Sequence, residues 1–155
     1  MSGAGIGASQ QTPDEMLPDV LFRGGQQREP YLVLIVDDEV PIAQSLADII
    51  DEAGYTPLVA FRGHDALNLV RERWPALIFT DLMMPQMNGE TFIATLRAES
   101  AACGAQMPPV VVLTAAVSLS EAQMLADVIV QKPFDLQRIE AILQGFLGPP
   151  PASHW

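Results

Sequence analysis

Residues 31–55 read YLVLIVDDEVPIAQSLADIIDEAGY, and two periodicities meet inside them. The first six residues, 31–36, form an unbroken apolar, β-rich run. A strand with one wet face would alternate, so this run reads as a strand covered on both sides. From Pro41 onward the spacing changes. Ile42, Leu46, Ile49, Ile50 and Ala53 recur at helical intervals. Pro41 suits a first helical turn, and Gly54 suits the position just past a helix end.

The same alternation continues outward. TPLVAF (56–61) reads as a strand, with Pro57 favouring a sheet edge. HDALNLVRERW (64–74) is helical through Ala66, Leu67 and Val70, and Pro75 closes it. ALIFT (76–80) is another buried strand, and ETFIATLRAES (90–100) a helix with Phe92, Ile93 and Leu96 inward. VVVLT (110–114) is a further buried strand. SEAQMLA (120–126) gives at best a short helix, and DVIVQ (127–131) a strand. DLQRIEAILQGFL (135–147) is the last helix, with Asp135 as N-cap and Leu136, Ile139, Leu143 and Phe146 on one face. Five strands alternating with five helices predict an α/β fold, a parallel sheet covered on both sides.

The flanks differ. Residues 1–29 are rich in Gly, Ser, Gln and Pro without a sustained period, and read as a flexible extension. Residues 148–155 read as an unstructured tail, with Pro149 to Pro151 stopping any helix. The folded domain is thus expected over 30–147.

Totals exclude several function classes. The formal net charge of −11 and pI of about 4.3 argue against nucleic acid and anionic membranes as direct partners. No apolar run approaches a membrane span, and the N-terminus lacks the basic and apolar regions of a secretory signal. The one cysteine, Cys103, allows no internal disulfide, which points to a reducing cytoplasm. It follows a predicted helix and reads as inert. Lys132 is the only lysine, and the other seven basic residues are arginines.

Polar residues cluster where the strands stop. The first strand ends at Asp37-Asp38-Glu39, the third at Asp81, the fourth at Thr114 and the fifth at Lys132. In an open parallel sheet these carboxyl ends share one edge, where ligands bind. Any one Asp there could be merely a helix cap. Together they predict a convergence of three carboxylates, a hydroxyl and the sole ammonium. Clustered carboxylates repel one another unless a cation lies between them, and hard oxygen ligands suit Mg²⁺. No His or Cys lies near these ends, which argues against zinc. A carboxylate can also act as a nucleophile toward phosphorus, with an ammonium and a hydroxyl serving the phosphoryl oxygens. The methionines Met83, Met84 and Met87 read as packing rather than a soft-metal site.

These residues resemble the receiver domain of two-component response regulators. The motifs are VDDE (36–39), TDLMMPQMNG (80–89), VVVLTA (110–115) and QKPF (131–134), in the family's order and with similar spacing. The resemblance implies a flavodoxin-like sheet of strand order 2-1-3-4-5. It implies Asp81 as phosphoacceptor from the phosphohistidine of a sensor histidine kinase or phosphotransfer protein. It further implies Mg²⁺ bound by Asp38 directly, by Asp37 mainly through water, by Asp81 and by the backbone carbonyl of Met83. Thr114 and Lys132 would serve the phosphoryl group, Ala115 would leave the site open, and the Lys132–Pro133 bond would be cis. The protein would be a cytoplasmic stand-alone switch rather than an enzyme, acting on a downstream protein or relaying phosphate, with a homodimer as one option.

Two departures bear on output. The family's aromatic switch position holds Ile129, and the segment from Thr114 to Lys132 is about one helical turn short. Other classes remain open at this stage. One is a non-switching interaction module with the same fold. Another is an Mg²⁺-dependent phosphohydrolase with an aspartyl nucleophile, although Met83 stands where such enzymes carry a second Asp.

Overall fold

The computed structural model describes residues 29–84, 86–115 and 126–150. Among these residues are five strands, each four or five residues long: β1 (Leu32–Val36), β2 (Thr56–Ala60), β3 (Leu77–Asp81), β4 (Val110–Thr114) and β5 (Val128–Gln131). Four helices stand among the described residues: α1 (Val40–Glu52), α2 (Gly63–Glu72), α3 (Gly89–Cys103) and α4 (Leu136–Leu147). The expected short helix at 120–126 lies outside the described residues apart from Ala126, as do the extension before Glu29 and the tail beyond Pro150.

All strand pairings are parallel, in the order β2-β1-β3-β4-β5. This is the predicted 2-1-3-4-5. The central strands are buried along their whole length, and two apolar layers explain why. Leu34, Val36, Ile78 and Val112 face α2 and α3 through Ala66, Leu67, Val70, Phe92, Ile93 and Leu96. Val33, Ile35, Leu77, Phe79, Val111 and Leu113 face α1 and α4 through Ala43, Leu46, Ile50, Ile139, Ile142 and Leu143. A side chain on either face is covered, so the three central strands are apolar until their carboxyl ends, where Thr80, Asp81 and Thr114 stand. Burying each large aliphatic or Phe side chain contributes about 1.5–3 kcal/mol. The surface ion pairs Arg71–Glu99 and Arg73–Glu29 contribute about 1 kcal/mol at most. The layers, not the ion pairs, hold the fold.

Several details differ from the sequence reading. α3 runs on to Cys103, which is therefore inside the helix, and Gly104 ends it in the left-handed region. Ala is the strongest helix former, and the Ala-rich stretch continues the helix after large apolar residues have ceased. On α4 the buried stripe is Ile139, Ile142 and Leu143, while Leu136 and Phe146 are exposed. β5 is only half-buried because it is an edge strand with a neighbour on one side. Trp74 is buried and donates its indole N–H to the Gln106 carbonyl at 3.2 Å. The other edge strand, β2, carries Pro57 as expected.

The chain after α4 returns to the sheet's far end. Tyr55, buried ahead of β2, donates its hydroxyl to the Gly148 carbonyl at 2.6 Å. Gly54 has φ +100°, and a Cβ there would come within 2.7 Å of Pro150 Cγ. Glycine is thus required both by conformation and by close approach. Removing the phenolic hydroxyl in Tyr55→Phe should cost about 1 kcal/mol and lower the thermal midpoint by roughly 2–4 °C. An unchanged midpoint would mean that this contact contributes nothing to stability.

Candidate functional site

Four consecutive features of the sheet bring the site together. β1 runs into Asp37, whose backbone N–H still pairs with the Ala60 carbonyl at 3.1 Å. Strand pairing therefore fixes Asp37 before the chain turns into α1. β3 ends on Asp81 itself, paired in register with Leu113. β4 ends on Thr114, and the Lys132 N–H donates to the Thr114 carbonyl at 2.9 Å. The Lys132–Pro133 bond is cis, as the family resemblance implied. Register thus sets all these side chains at one edge.

The predicted carboxylates converge. Oxygens of Asp37, Asp38 and Asp81 all lie within 4.8 Å of one another. Asp37 and Asp81 are buried, and Asp38 is half-buried. At an effective dielectric of about 20, a pair of full charges this close repels by roughly 3–4 kcal/mol. The Lys132 ammonium offsets part of this. Its Nζ lies 3.0 Å from Asp37 Oδ2 and 3.4 Å from Asp81 Oδ2. One ammonium against three carboxylates still leaves an excess of negative charge.

The oxygens are unequally satisfied. Asp37 Oδ1 accepts the Glu39 N–H at 2.9 Å, and Asp81 Oδ1 accepts the Met83 N–H at 3.3 Å. Asp37 Oδ2 and Asp38 Oδ1 are buried without an aligned hydrogen-bond donor. For Asp37 Oδ2, only the ion pair with Lys132 compensates. Buried carboxylate oxygens without donors are costly, and a hard divalent cation would satisfy them. The donor set therefore fits Mg²⁺ on the chain's own geometry.

Protonation follows the same balance. Burial raises the Asp81 carboxyl above its ordinary value; Lys132 counters this and the Asp37 charge adds to it. Burial works against the Lys132 ammonium. The close contact with Asp37 and the charges of Asp81, Asp37 and Glu39 outweigh it, so its pKa is raised.

The loop after Asp81 is shaped for close approach. A Cβ on Gly89 would collide with the Asp81 carbonyl oxygen and come within 2.9 Å of Leu82 Cα. The Gly89 N–H donates to the Leu82 carbonyl at 2.9 Å, and Asn88 caps α3 by accepting the Thr91 N–H at 2.8 Å. The Asn-Gly pair is thus both turn and cap. Gln86 takes φ +71°, a left-handed conformation unusual for a side chain of this kind. Met83 stands 76% exposed at the mouth of the site. Thr114 is buried at the same edge, and Ala115 is exposed beside it. Ile129 pairs with Val112 and packs into the layer beneath α2 and α3.

The sequence reading gave no role to two neighbours, Glu39 and Gly89. Glu39 Oε2 lies 3.9 Å from the same ammonium. The third acid of Asp37-Asp38-Glu39 was the signal for the first residue. For Gly89 the collision depends on the loop's path, which a sequence does not display.

Because the folded pKa of Asp81 is raised, its ionised form opposes folding. Its favourable contribution is present below the unfolded carboxylate range and is lost as pH rises through the folded pKa. In metal-free buffer at neutral pH, Asp81→Asn should therefore raise the thermal midpoint, by about 2–4 °C for each kcal/mol relieved. The difference should shrink as pH falls into the carboxylate range. A lower midpoint in the variant would mean that attraction to Lys132 outweighs burial and repulsion.

Comparisons with known proteins agree with this geometry. The family model described as "Response regulator receiver domain" matches residues 33–144. The response regulator Rre1 of Synechocystis sp. is 32% identical over 130 residues, covering 81% of this chain and 55% of the relative. The chain spans about half the length of the curated relatives it matches. Among solved structures, the Vibrio cholerae chemotaxis protein CheY4 is similar with a TM-score of 0.66 and 28% identity, covering 75% of this chain and 98% of that one. The receiver domain of Saccharomyces cerevisiae Ssk1, crystallised with the histidine phosphotransfer protein Ypd1, shares the fold at a TM-score of 0.70 and 24% identity, over 79% of this chain and 92% of that one. With its five parallel strands in this order and the family match across most of its length, the chain belongs to the response regulator receiver family of two-component signalling.

Proposed function

We propose that residues 30–147 act as a phosphoacceptor switch, with Asp81 as the residue that is phosphorylated. The supporting observation is the meeting of Asp37, Asp38 and Asp81 within 4.8 Å, with the chain's only lysine in ion-pair contact. In the proposed step, an Asp81 carboxylate oxygen attacks the phosphorus of a phosphohistidine. A P–O bond forms, the P–N bond breaks, and the imidazole leaves with the electron pair. The product is an acyl phosphate on Asp81.

Other residues hold the incoming charge. Asp37, Asp38, Asp81 and the Met83 backbone carbonyl would hold Mg²⁺. Bound there, the ion would supply charge neutralisation for the phosphoryl oxygens. Lys132 pairs with a phosphoryl oxygen and so exchanges one anionic partner for another. Thr114 donates its hydroxyl to a second phosphoryl oxygen. The exposed Ala115 leaves room beside it. A group transferring phosphate to itself and losing it again is a switch rather than a turnover catalyst. Met83 at the second position after Asp81 supplies no general acid for external substrates.

The donor protein must reach Asp81 from the carboxyl edge. A groove of about 610 Å³ opens there, between Glu39, Pro41, Ile42 and Ser45 on one side and Lys132, Pro133 and Phe134 on the other. Its mixture of apolar walls and a charged end suits a partner that brings a phosphohistidine. The Ypd1 complex of the Ssk1 receiver domain is a precedent for that class of partner.

Incubation with a small acyl-phosphate donor, followed by intact mass, tests the proposal. One phosphoryl group should be added to the wild type when Mg²⁺ is present. The adduct should be absent from Asp81→Asn and from samples with chelator. An adduct that survives Asp81→Asn, or that forms equally without divalent cations, would overturn the assignment.

A further inference from the structure

Three carboxylates surround the Lys132 ammonium, and they are not equivalent. Nζ lies 3.0 Å from Asp37 Oδ2, 3.4 Å from Asp81 Oδ2 and 3.9 Å from Glu39 Oε2. The Asp37 side chain is fully buried and that of Asp81 nearly so, whereas the Glu39 side chain is 56% exposed. The ammonium therefore bridges the inner cluster to a single outer acid.

The backbone of Glu39 is tightly held. Its N–H donates to Asp37 Oδ1 at 2.9 Å, and its carbonyl accepts the N–H groups of Ile42 and Ala43, both at 3.0 Å. Glu39 is the N-cap residue of α1, but its side chain makes no capping hydrogen bond. Glutamate is not among the preferred N-caps, whose short oxygens reach back to the helix. Here the longer side chain reaches Lys132 instead.

The ammonium and a divalent cation make competing demands. Asp37 Oδ2 has no aligned donor and is held by Lys132 alone. A cation bound by Asp37 and Asp81 would face Lys132 at close range, with like charges repelling. Entry of the cation therefore requires the ammonium to give up the inner oxygens. Glu39 is the anionic group on its outer side.

We propose that Glu39 is a positioning residue that receives the Lys132 ammonium when a divalent cation enters, and so sets the affinity for that cation. The inference rests on reading Asp37, Asp38 and Asp81 as a Mg²⁺ site. Calorimetric titration of the full chain with Mg²⁺ tests it in four forms: wild type, Glu39→Gln, Lys132→Met and the double variant. Glu39→Gln should weaken binding by about two- to fivefold, the range of a partly exposed ion pair. Lys132→Met should tighten it. In the Lys132→Met background, adding Glu39→Gln should leave the affinity unchanged.

An equal weakening with and without Lys132 would overturn the inference, because Glu39 would then act only as a nearby charge. No weakening in the single variant would also overturn it. Absence of binding in the wild type would instead defeat the Mg²⁺ reading and the inference with it. Should Lys132→Met fail to fold, ¹⁵N-lysine labelling provides a second readout, since Lys132 is the only lysine. Its Nζ signal should move on Mg²⁺ addition in the wild type, and Glu39→Gln should alter the bound-state signal. A bound-state signal indifferent to Glu39→Gln would contradict the hand-off.

Discussion

Like charges gathered at the end of a buried sheet dominate this molecule's physics. Oxygens of Asp37, Asp38 and Asp81 lie within 4.8 Å of one another, and among the described residues the opposing charge in ion-pair contact with them is Lys132. Such a cluster does not help the chain fold. It is held in place by parts that do not take part in it: continuous apolar strands, and helices whose stripes cover both faces. Strand register fixes Asp37, Asp81 and Thr114, and a backbone bond to Thr114 fixes Lys132. The core thus maintains an arrangement that the charges alone would disperse, a pattern common where stability is spent on function.

That division of labour explains what could be read from the chain. The three inner strands were legible because coverage on both faces leaves unbroken apolar runs such as residues 32–36 and 110–113. The site was legible because polar residues stand out against those runs at each strand end. The half-burial of the edge strand β5 was not legible, since VIV carries no mark of a missing neighbour. The far end of α3 was hidden for another reason. Alanines continue a helix on propensity without an amphipathic signal, and the stop is made by Gly104.

Loop geometry and contacts across the site lay beyond sequence reasoning. Gly89 is required because the chain after Asp81 folds back against the Asp81 carbonyl, a long-range consequence of the loop's path. Glu39 carries the same charge as its neighbours, so sequence alone gave it no separate part. Its distinction is one of burial and reach. Two aspartates turn inward, while Glu39 remains at the surface beside the groove bounded by Pro41, Ile42 and Phe134. The same short motif, Asp37-Asp38-Glu39, thereby joins the interior of the site to the surface that a partner would meet. Ile129, at the family's aromatic position, is packed inward against the other face of the sheet. Any signal passing through it would have to travel by packing rather than by a ring exchanging between core and solvent.

The central claim is that one carboxylate of this cluster, Asp81, carries the phosphoryl group. Borohydride reduction of the phosphorylated wild-type chain tests it most directly, because it converts an acyl phosphate to an alcohol at the modified residue. Peptide mass analysis then reads the position. The account predicts conversion of Asp81 to homoserine, with Asp37, Asp38 and Glu39 intact. Reduction at any of those three, or phosphate retained on a residue that borohydride does not reduce, would contradict it.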